Sequence, residues 1–289
     1  MLDFKSFADF FTQHYVLFEL SILVFGICIG SFLNVVIYRL PLMLYTGEAV
    51  EGDHRDTATD LGSANGEKFN LAVPRSFCTQ CRAQLSWFDN IPVLSYLLLK
   101  GKCRSCLFPI SVKYPSVEVL SGIFTLILGL YFGCSVKFLL SCIFIYALIA
   151  LCFIDLNTFL LPDCITLPLI WCGLIVNSYG VFTSLKASLF GAVFGYLVLW
   201  AVFWIFKAIT GKNGFGYGDF KLLAAIGAWL GWVSLPLVIF ISTLTGSIVG
   251  LSLLALKKIE KDSPIPFGPY LILGGVIMLL YPDLVHFLY

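Results

Sequence analysis

The stretch LLAAIGAWLGWVSLPLVIFISTLTGSIVGLSLLAL, Leu222 to Leu256, carries no charged side chain. A helix crossing a bilayer needs about 20 mostly apolar residues. The run is therefore too long for one span, and it divides into two only by borrowing from its flank. Gly231-Trp-Val-Ser-Leu-Pro236 supplies turn chemistry near its middle. Two helices joined at that turn follow, and the first must begin near Asp219 to gain enough length. An acid thus opens a membrane helix.

Further charge-free runs lie at 20–38, 119–136, 138–154, 164–185, 187–206 and 263–282. The expectation is an all-α polytopic membrane protein of about eight transmembrane helices. Composition agrees. Of 289 residues, 59% are hydrophobic and 12% charged, against about 25% charged in soluble domains. Too few polar side chains remain to cover a globular surface in water, which excludes a soluble enzyme of two ordinary domains. With a net charge of +1 and no basic stripe interleaved with aromatics, nucleic acid is excluded as a partner. Asp3, Lys5 and Asp9 give no positive leader region, and no small-residue cleavage site follows. The run from Leu20 to Tyr38 therefore reads as a retained span.

Basic residues set the orientation. With the N-terminus outside, the cytoplasmic segments are 39–118, 155–163, 207–221 and 257–266. All Lys and Arg then face the cytoplasm except Lys5, Lys137 and Lys186. Both termini lie outside, and Asp155 and Asp219 sit at similar depth near the cytoplasmic face. The chain divides into a first transmembrane helix (1–40), a cytoplasmic loop (41–117) and a seven-helix membrane domain (118–289). Within the loop, 47–68 mixes acids with Gly, Ser and Thr and reads as a flexible insertion. The part from 74 to 115 has too little apolar material for a free-standing core, but enough for a metal-stapled one.

The staple is legible. Cys78-Thr-Gln-Cys81 and Cys103-Arg-Ser-Cys106 are two C-x-x-C pairs with a spacing close to a zinc ribbon. Each pair offers two thiolates from one tight turn, and two turns complete a tetrahedron around Zn2+. Four protein thiolates leave no open position for water, so the ion is a folding element. Lys102 and Arg104 are placed to offset thiolate charge. A disulfide is disfavoured because the loop faces a reducing compartment. The other six cysteines lie in apolar stretches, where Cys acts as a small hydrophobe.

The acids carry the chemistry. Glu19, Glu118 and Asp283 flank span ends, where solvated carboxylates are ordinary. Asp155, Asp163 and Asp219 are different, because acids at membrane depth are costly and are kept for function or pairing. Asp163 follows Pro162 in the first turn of a helix, so helix-start stabilisation and direct catalysis are both open to it. Asp219 follows Gly214-Phe-Gly216-Tyr-Gly218, where alternating glycines permit close backbone approach. Lys221 is a nearby cation able to reach an acid or a lipid phosphate. Asp155 and Asp219 together suggest an aspartic protease dyad, in which one carboxyl keeps a proton and the other activates water. The alternative for the same two acids is a transporter's proton relay.

Several segments in their order resemble the type IV prepilin peptidases, also called leader peptidase/N-methyltransferases. They are Gly30-Ser-Phe-Leu-Asn-Val-Val-Ile-Tyr-Arg-Leu-Pro41, Pro74-Arg-Ser-Phe-Cys78, Asn90-Ile-Pro-Val-Leu-Ser-Tyr96, Gly101-Lys-Cys103-Arg-Ser-Cys106 and Tyr114-Pro-Ser-Val-Glu118. To these add Asp155 to Asp163, Gly216-Tyr-Gly-Asp219-Phe-Lys221 and Pro266-Phe-Gly-Pro-Tyr270. The resemblance implies a bifunctional enzyme of the bacterial inner membrane with its active site at the cytoplasmic face. It would cut the basic leader from prepilins or pseudopilins for type IV pilus or type II secretion assembly. It would then methylate the new N-terminal residue, usually Phe, with S-adenosylmethionine. The family's G-x-G-D motif falls on Gly216, Gly218 and Asp219, with Asp155 as the partner acid and Asp163 and Lys221 as supporting residues. By the same analogy the methyl donor would bind in the cytoplasmic loop and adjoining span ends, at Asn34, Arg39, Gly101 and Glu118. A peptidase-only member is the other reading the resemblance leaves.

Overall fold

The computed structural model describes residues 15–48, 70–73, 75–211, 216–258 and 264–287. The insertion expected at 47–68, apart from its first two residues, and Pro74 and Gly214 lie outside the described residues. Nine α-helices are described: α1 (Tyr15–Glu48), α2 (Leu94–Leu98), α3 (Lys113–Phe132), α4 (Val136–Thr158), α5 (Asp163–Ser178), α6 (Leu185–Thr210), α7 (Tyr217–Leu230), α8 (Leu235–Ala255) and α9 (Gly268–Leu280). Among the described residues there is no strand, only two isolated β-bridges. All but α2 fall on the runs expected to be helical. Five of them (α1 to Tyr45, α3, α4, α6, and α8 with the turn before it) are long and apolar enough to cross a membrane by length and composition.

The ends differ from expectation in instructive ways. α1 does not stop near residue 40 but continues through Pro41 to Glu48, although an interior proline removes a helical hydrogen bond. α5 ends at Ser178, short of the apolar run's end at 185, because Asn177 turns the chain. Its Oδ1 accepts from the backbone N–H groups of Phe182 and Thr183 at 3.0 and 3.1 Å. The division of the 222–256 run falls at Gly231, whose φ of +84° suits glycine, and Pro236 lies in the first turn of α8.

The chain forms two compact units, residues 1–150 and 151–289. In the first, α1 and α3 pack along a seam of small residues. A Cβ at Gly30 would lie 2.6 Å from Glu118 Cα, and Gly122 and Gly129 face Ile27 and Ile22. Such positions let helices in lipid approach closely and gain dispersion contacts.

In the second unit, α7 is the centre. Every residue from Leu222 to Trp229 is buried, as are Asp219 and Phe220, which is what an apolar-all-round helix requires. Gly191 of α6 and Gly227 of α7 meet backbone to backbone, and Gly195 lies against Leu223 and Ala224. Polar side chains tie the far end. Asn177 Nδ2 donates to the carbonyls of Ala228 and Trp229 at 2.8 and 2.9 Å. Ser188 Oγ also donates to Ala228 O, and Trp229 Nε1 donates to Leu169 O at 2.8 Å. At 14 residues, α7 is about 21 Å long, shorter than a hydrocarbon core of about 30 Å. α5 and α9 are similarly short, with 16 and 13 residues.

Candidate active site

The N-terminal ends of α5 and α7 and the C-terminal end of α4 carry the acids, and the N-terminal end of α9 supplies a donor to one of them. Asp155 occupies the last turn of α4. Its carbonyl accepts the N–H of Phe159 at 2.9 Å, with Phe159 at a φ of +56°, a left-handed cap that stops the helix. The chain then crosses Leu160, Leu161 and Pro162 to enter α5 at Asp163. Asp219 is the third residue of α7. Its Oδ2 reaches back to accept the N–H of Gly216 at 3.2 Å, half of a capping box.

Asp155 and Asp219 are 4% and 6% exposed. Each carboxylate takes a backbone N–H from a different helix start, because Gly268, the first residue of α9, donates to Asp155 Oδ2 at 3.0 Å. The positive ends of α7 and α9 thus meet the two acids. Leu161 links their surroundings. An added Cβ would stand 2.7 Å from Leu161 Cβ at Gly218, and 3.4 Å from Leu161 Cδ2 at Gly268.

The other two supporting residues form a separate pair. Lys221 Nζ binds both carboxylate oxygens of Asp163 at 2.7 Å. The Asp163 side chain is 56% exposed, unlike the two buried acids.

Outside the helices, the sulfurs of Cys78, Cys81, Cys103 and Cys106 lie within 4.8 Å of one another. The two C-x-x-C turns repeat one hydrogen-bond pattern. Cys78 N–H donates to Ala83 O and accepts, through its carbonyl, the N–H of Arg82; Cys103 does the same with Phe108 and Leu107, all at 2.9–3.0 Å. Arg82 and Leu107 share a positive φ of 56° and 59°. The bridges Phe77–Gln84 and Lys102–Pro109 close both turns. A cluster of four thiols on two matching turns fits one tetrahedral metal. N–H groups of Cys106 and Ser105 hold the Cys103 thiol down to about 7. The N–H of Phe108 lowers Cys106, but burial and the neighbouring sulfurs together push it up to about 12. The Arg104 guanidinium donates to Asp89 Oδ1 at 2.8 and 3.0 Å and lies over the Phe88 ring, which ties the second turn to the 87–90 segment.

The four residues suggested for a methyl donor divide among three places. Asn34 Nδ2 donates to Glu118 Oε1 at 3.4 Å and to Tyr114 O at 3.0 Å, and Val93 N–H donates to Glu118 Oε2 at 2.8 Å. Val93 makes that bond at a φ of +58°, uncommon for a β-branched residue. Arg39 donates to the carbonyls of Asn70 and Leu71. Gly101 packs on Tyr96, 2.9 Å from where its Cβ would be. These contacts tie the loop to the helices.

Gly268 and Leu161 were not singled out from sequence. Pro266-Phe-Gly-Pro-Tyr270 marks a helix start, but nothing in its composition says that its N–H is aimed at an acid 113 positions earlier.

The fold defines a polytopic helical membrane protein with two buried carboxyls, each held by a helix-start N–H, in a core of short helices. Comparison gives the family. Residues 24–132 match the bacterial peptidase A24 N-terminal domain, and residues 142–251 match the type IV leader peptidase family. A protein of Stutzerimonas stutzeri is 44% identical over 280 residues, covering 96% of this chain and 95% of its own. One from Aeromonas hydrophila is 47% identical over 262 residues (91% and 90%), and one from Pseudomonas aeruginosa 44% over 275 (95% and 94%). All three are described as prepilin leader peptidase/N-methyltransferase. No solved structure matches. The chain belongs to the type IV leader peptidase family.

Proposed function

We infer that this chain is a bifunctional prepilin-processing enzyme of the bacterial inner membrane. It cleaves the basic leader as an aspartic endopeptidase and then methylates the new N-terminus with S-adenosylmethionine. The carrying observation is the pair of buried carboxyls, Asp155 and Asp219, each held by a helix-start N–H.

Two such acids in a water-poor site cannot both ionise cheaply, so one keeps a proton. The ionised member accepts a proton from water as that water attacks the scissile carbonyl carbon. The protonated member donates to the carbonyl oxygen; collapse of the tetrahedral intermediate expels the amine, which takes the proton drawn from water, while the hydroxyl returns its proton to the other carboxyl. The pair titrates as a unit. The eight-span reading, with both termini periplasmic, puts these acids near the cytoplasmic interface. A prepilin's scissile bond, between a basic leader and an apolar helix, lies at that depth. Five spans follow from length and composition among the described residues; the three short helices bring the count to eight when the membrane is entered from a recessed cytoplasmic side.

The four thiols would hold Zn2+ as a fold element of the 74–115 module, within the 41–117 segment assigned to methyl transfer. S-adenosylmethionine would supply the methyl group. The test is mass spectrometry of a prepilin coexpressed with the enzyme. Wild type gives cleaved, methylated pilin, whereas Asp155→Asn and Asp219→Asn insert normally and leave the precursor intact. Full processing by either variant overturns the dyad. Labelled S-adenosylmethionine with pre-cleaved pilin tests the second activity: no incorporation reduces the enzyme to a peptidase.

A further inference from the structure

Gly268 donates its N–H to Asp155 Oδ2 at 3.0 Å, and a Cβ there would stand 2.6 Å from that same oxygen. The bond is made by backbone at the first residue of α9, so no side-chain rotamer adjusts it. The contact leaves no room for any side chain larger than hydrogen unless the carboxylate moves. Gly268 also lies against Leu161, 3.4 Å from its Cβ direction to Leu161 Cδ2. Leu161 in turn fills the space beside Gly218, the residue before Asp219. A single leucine therefore lies beside both the donor that holds one acid and the backbone that carries the other. Its own chain position is set by the left-handed cap at Phe159 and by Pro162 at the start of α5.

We propose that Gly268 and Leu161 are positioning residues for peptide hydrolysis, Gly268 by clamping the Asp155 carboxylate and Leu161 by acting as the spacer between the Gly268 donor and the Gly218 backbone that leads into Asp219. The proposal rests on the dyad assigned above. Neither residue donates a group to the reaction. Their effect is geometric, and a shift of about 1 Å in a catalytic group costs about a hundredfold in rate.

The test uses the full-length enzyme in detergent with a purified prepilin, measuring kcat and KM for Leu161→Ala, Leu161→Met, Gly268→Ala and Asp155→Asn. Leu161→Ala is expected to lower kcat by about a hundredfold with KM within about twofold. Leu161→Met, which keeps the volume, is expected to stay near wild type. Gly268→Ala is expected to match Leu161→Ala or fall lower. If Asp155→Asn is inactive while Leu161→Ala keeps the wild-type kcat, the spacer is overturned and the dyad stands. If Asp155→Asn is active, the dyad falls and the proposal with it. A loss in Leu161→Ala that appears in KM alone also overturns it, because that outcome marks substrate binding rather than carboxyl placement.

Discussion

The Lys221 ammonium of α7 lies 2.7 Å from both carboxylate oxygens of Asp163, at the first turn of α5. This pair answers what Lys221 does: it joins two helix starts beside the buried acids and takes Asp163 as its partner. Asp163 remains more than half exposed. Exposed ion pairs contribute only about 0.2–1 kcal/mol. Asp163→Asn and Lys221→Met are therefore expected to fold and to cleave prepilin within about tenfold of wild type. Initial-rate assays check this, and a loss of several orders of magnitude in Asp163→Asn would assign Asp163 to the reaction itself.

The two glycines of the G-x-G-D motif are not equivalent. A Cβ at Gly218 would lie 2.7 Å from Leu161 Cβ, an atom fixed to backbone, whereas at Gly216 the nearest atom is Asp219 Oδ2 at an ordinary 3.6 Å. Gly218→Ala is expected to lose about a hundredfold in cleavage rate, while Gly216→Ala stays within about tenfold. Side-by-side kinetics of the two variants decide it; equal losses would point to backbone freedom rather than contact with Leu161.

Asn177 is the structural counterpart at the opposite end of α7. Its amide bonds four backbone groups: the carbonyls of Ala228 and Trp229 and the N–H groups of Phe182 and Thr183. Ala228 O keeps Ser188 as a second donor. Asn177→Ala removes all four of its bonds, two of them in a buried site, and is expected to cost about 2–4 kcal/mol. The readout is a lowered thermal midpoint in detergent, with kcat of the surviving fold unchanged.

The cysteine cluster predicts a stoichiometry. Purified protein is expected to carry one zinc per chain by elemental analysis. Replacing any one of Cys78, Cys81, Cys103 or Cys106 by Ser is expected to release it. Zinc in such centres contributes on the order of 10 kcal/mol to folding, so removal should unfold the 74–115 module, seen as new protease cuts there. A metal-free preparation with an intact, protease-resistant module would contradict this.

Helix positions were legible because they depend on local properties. Apolar runs give length, and Gly231 with Pro236 divides the longest of them where the chain does turn. The two C-x-x-C turns were legible for the same reason, since each is a closed loop of a few residues. Extents were less so. α5 stops at Ser178 although hydrophobicity continues, because a single amide at Asn177 captures the next turn. Hydropathy carries no record of that bond. The partner of Arg104 was hidden likewise: its charge was visible, but Asp89 lies 15 positions away across the module.

Taken alone, the order of residues determined that this chain belongs in a lipid phase, where its helices run, that Asp155 closes one and Asp219 opens another, and that four thiols share one loop. Those are matters of transfer free energy and short-range backbone geometry, which a linear string encodes directly. Only the folded arrangement decided that Gly268 serves Asp155, that Lys221 serves Asp163 rather than Asp219, and that Leu161 lies beside both Gly218 and Gly268. Each of those contacts joins residues tens of positions apart. Which of many apolar surfaces meet is chosen by close packing of glycine seams around α7, a property of shapes in three dimensions rather than of any neighbourhood along the chain.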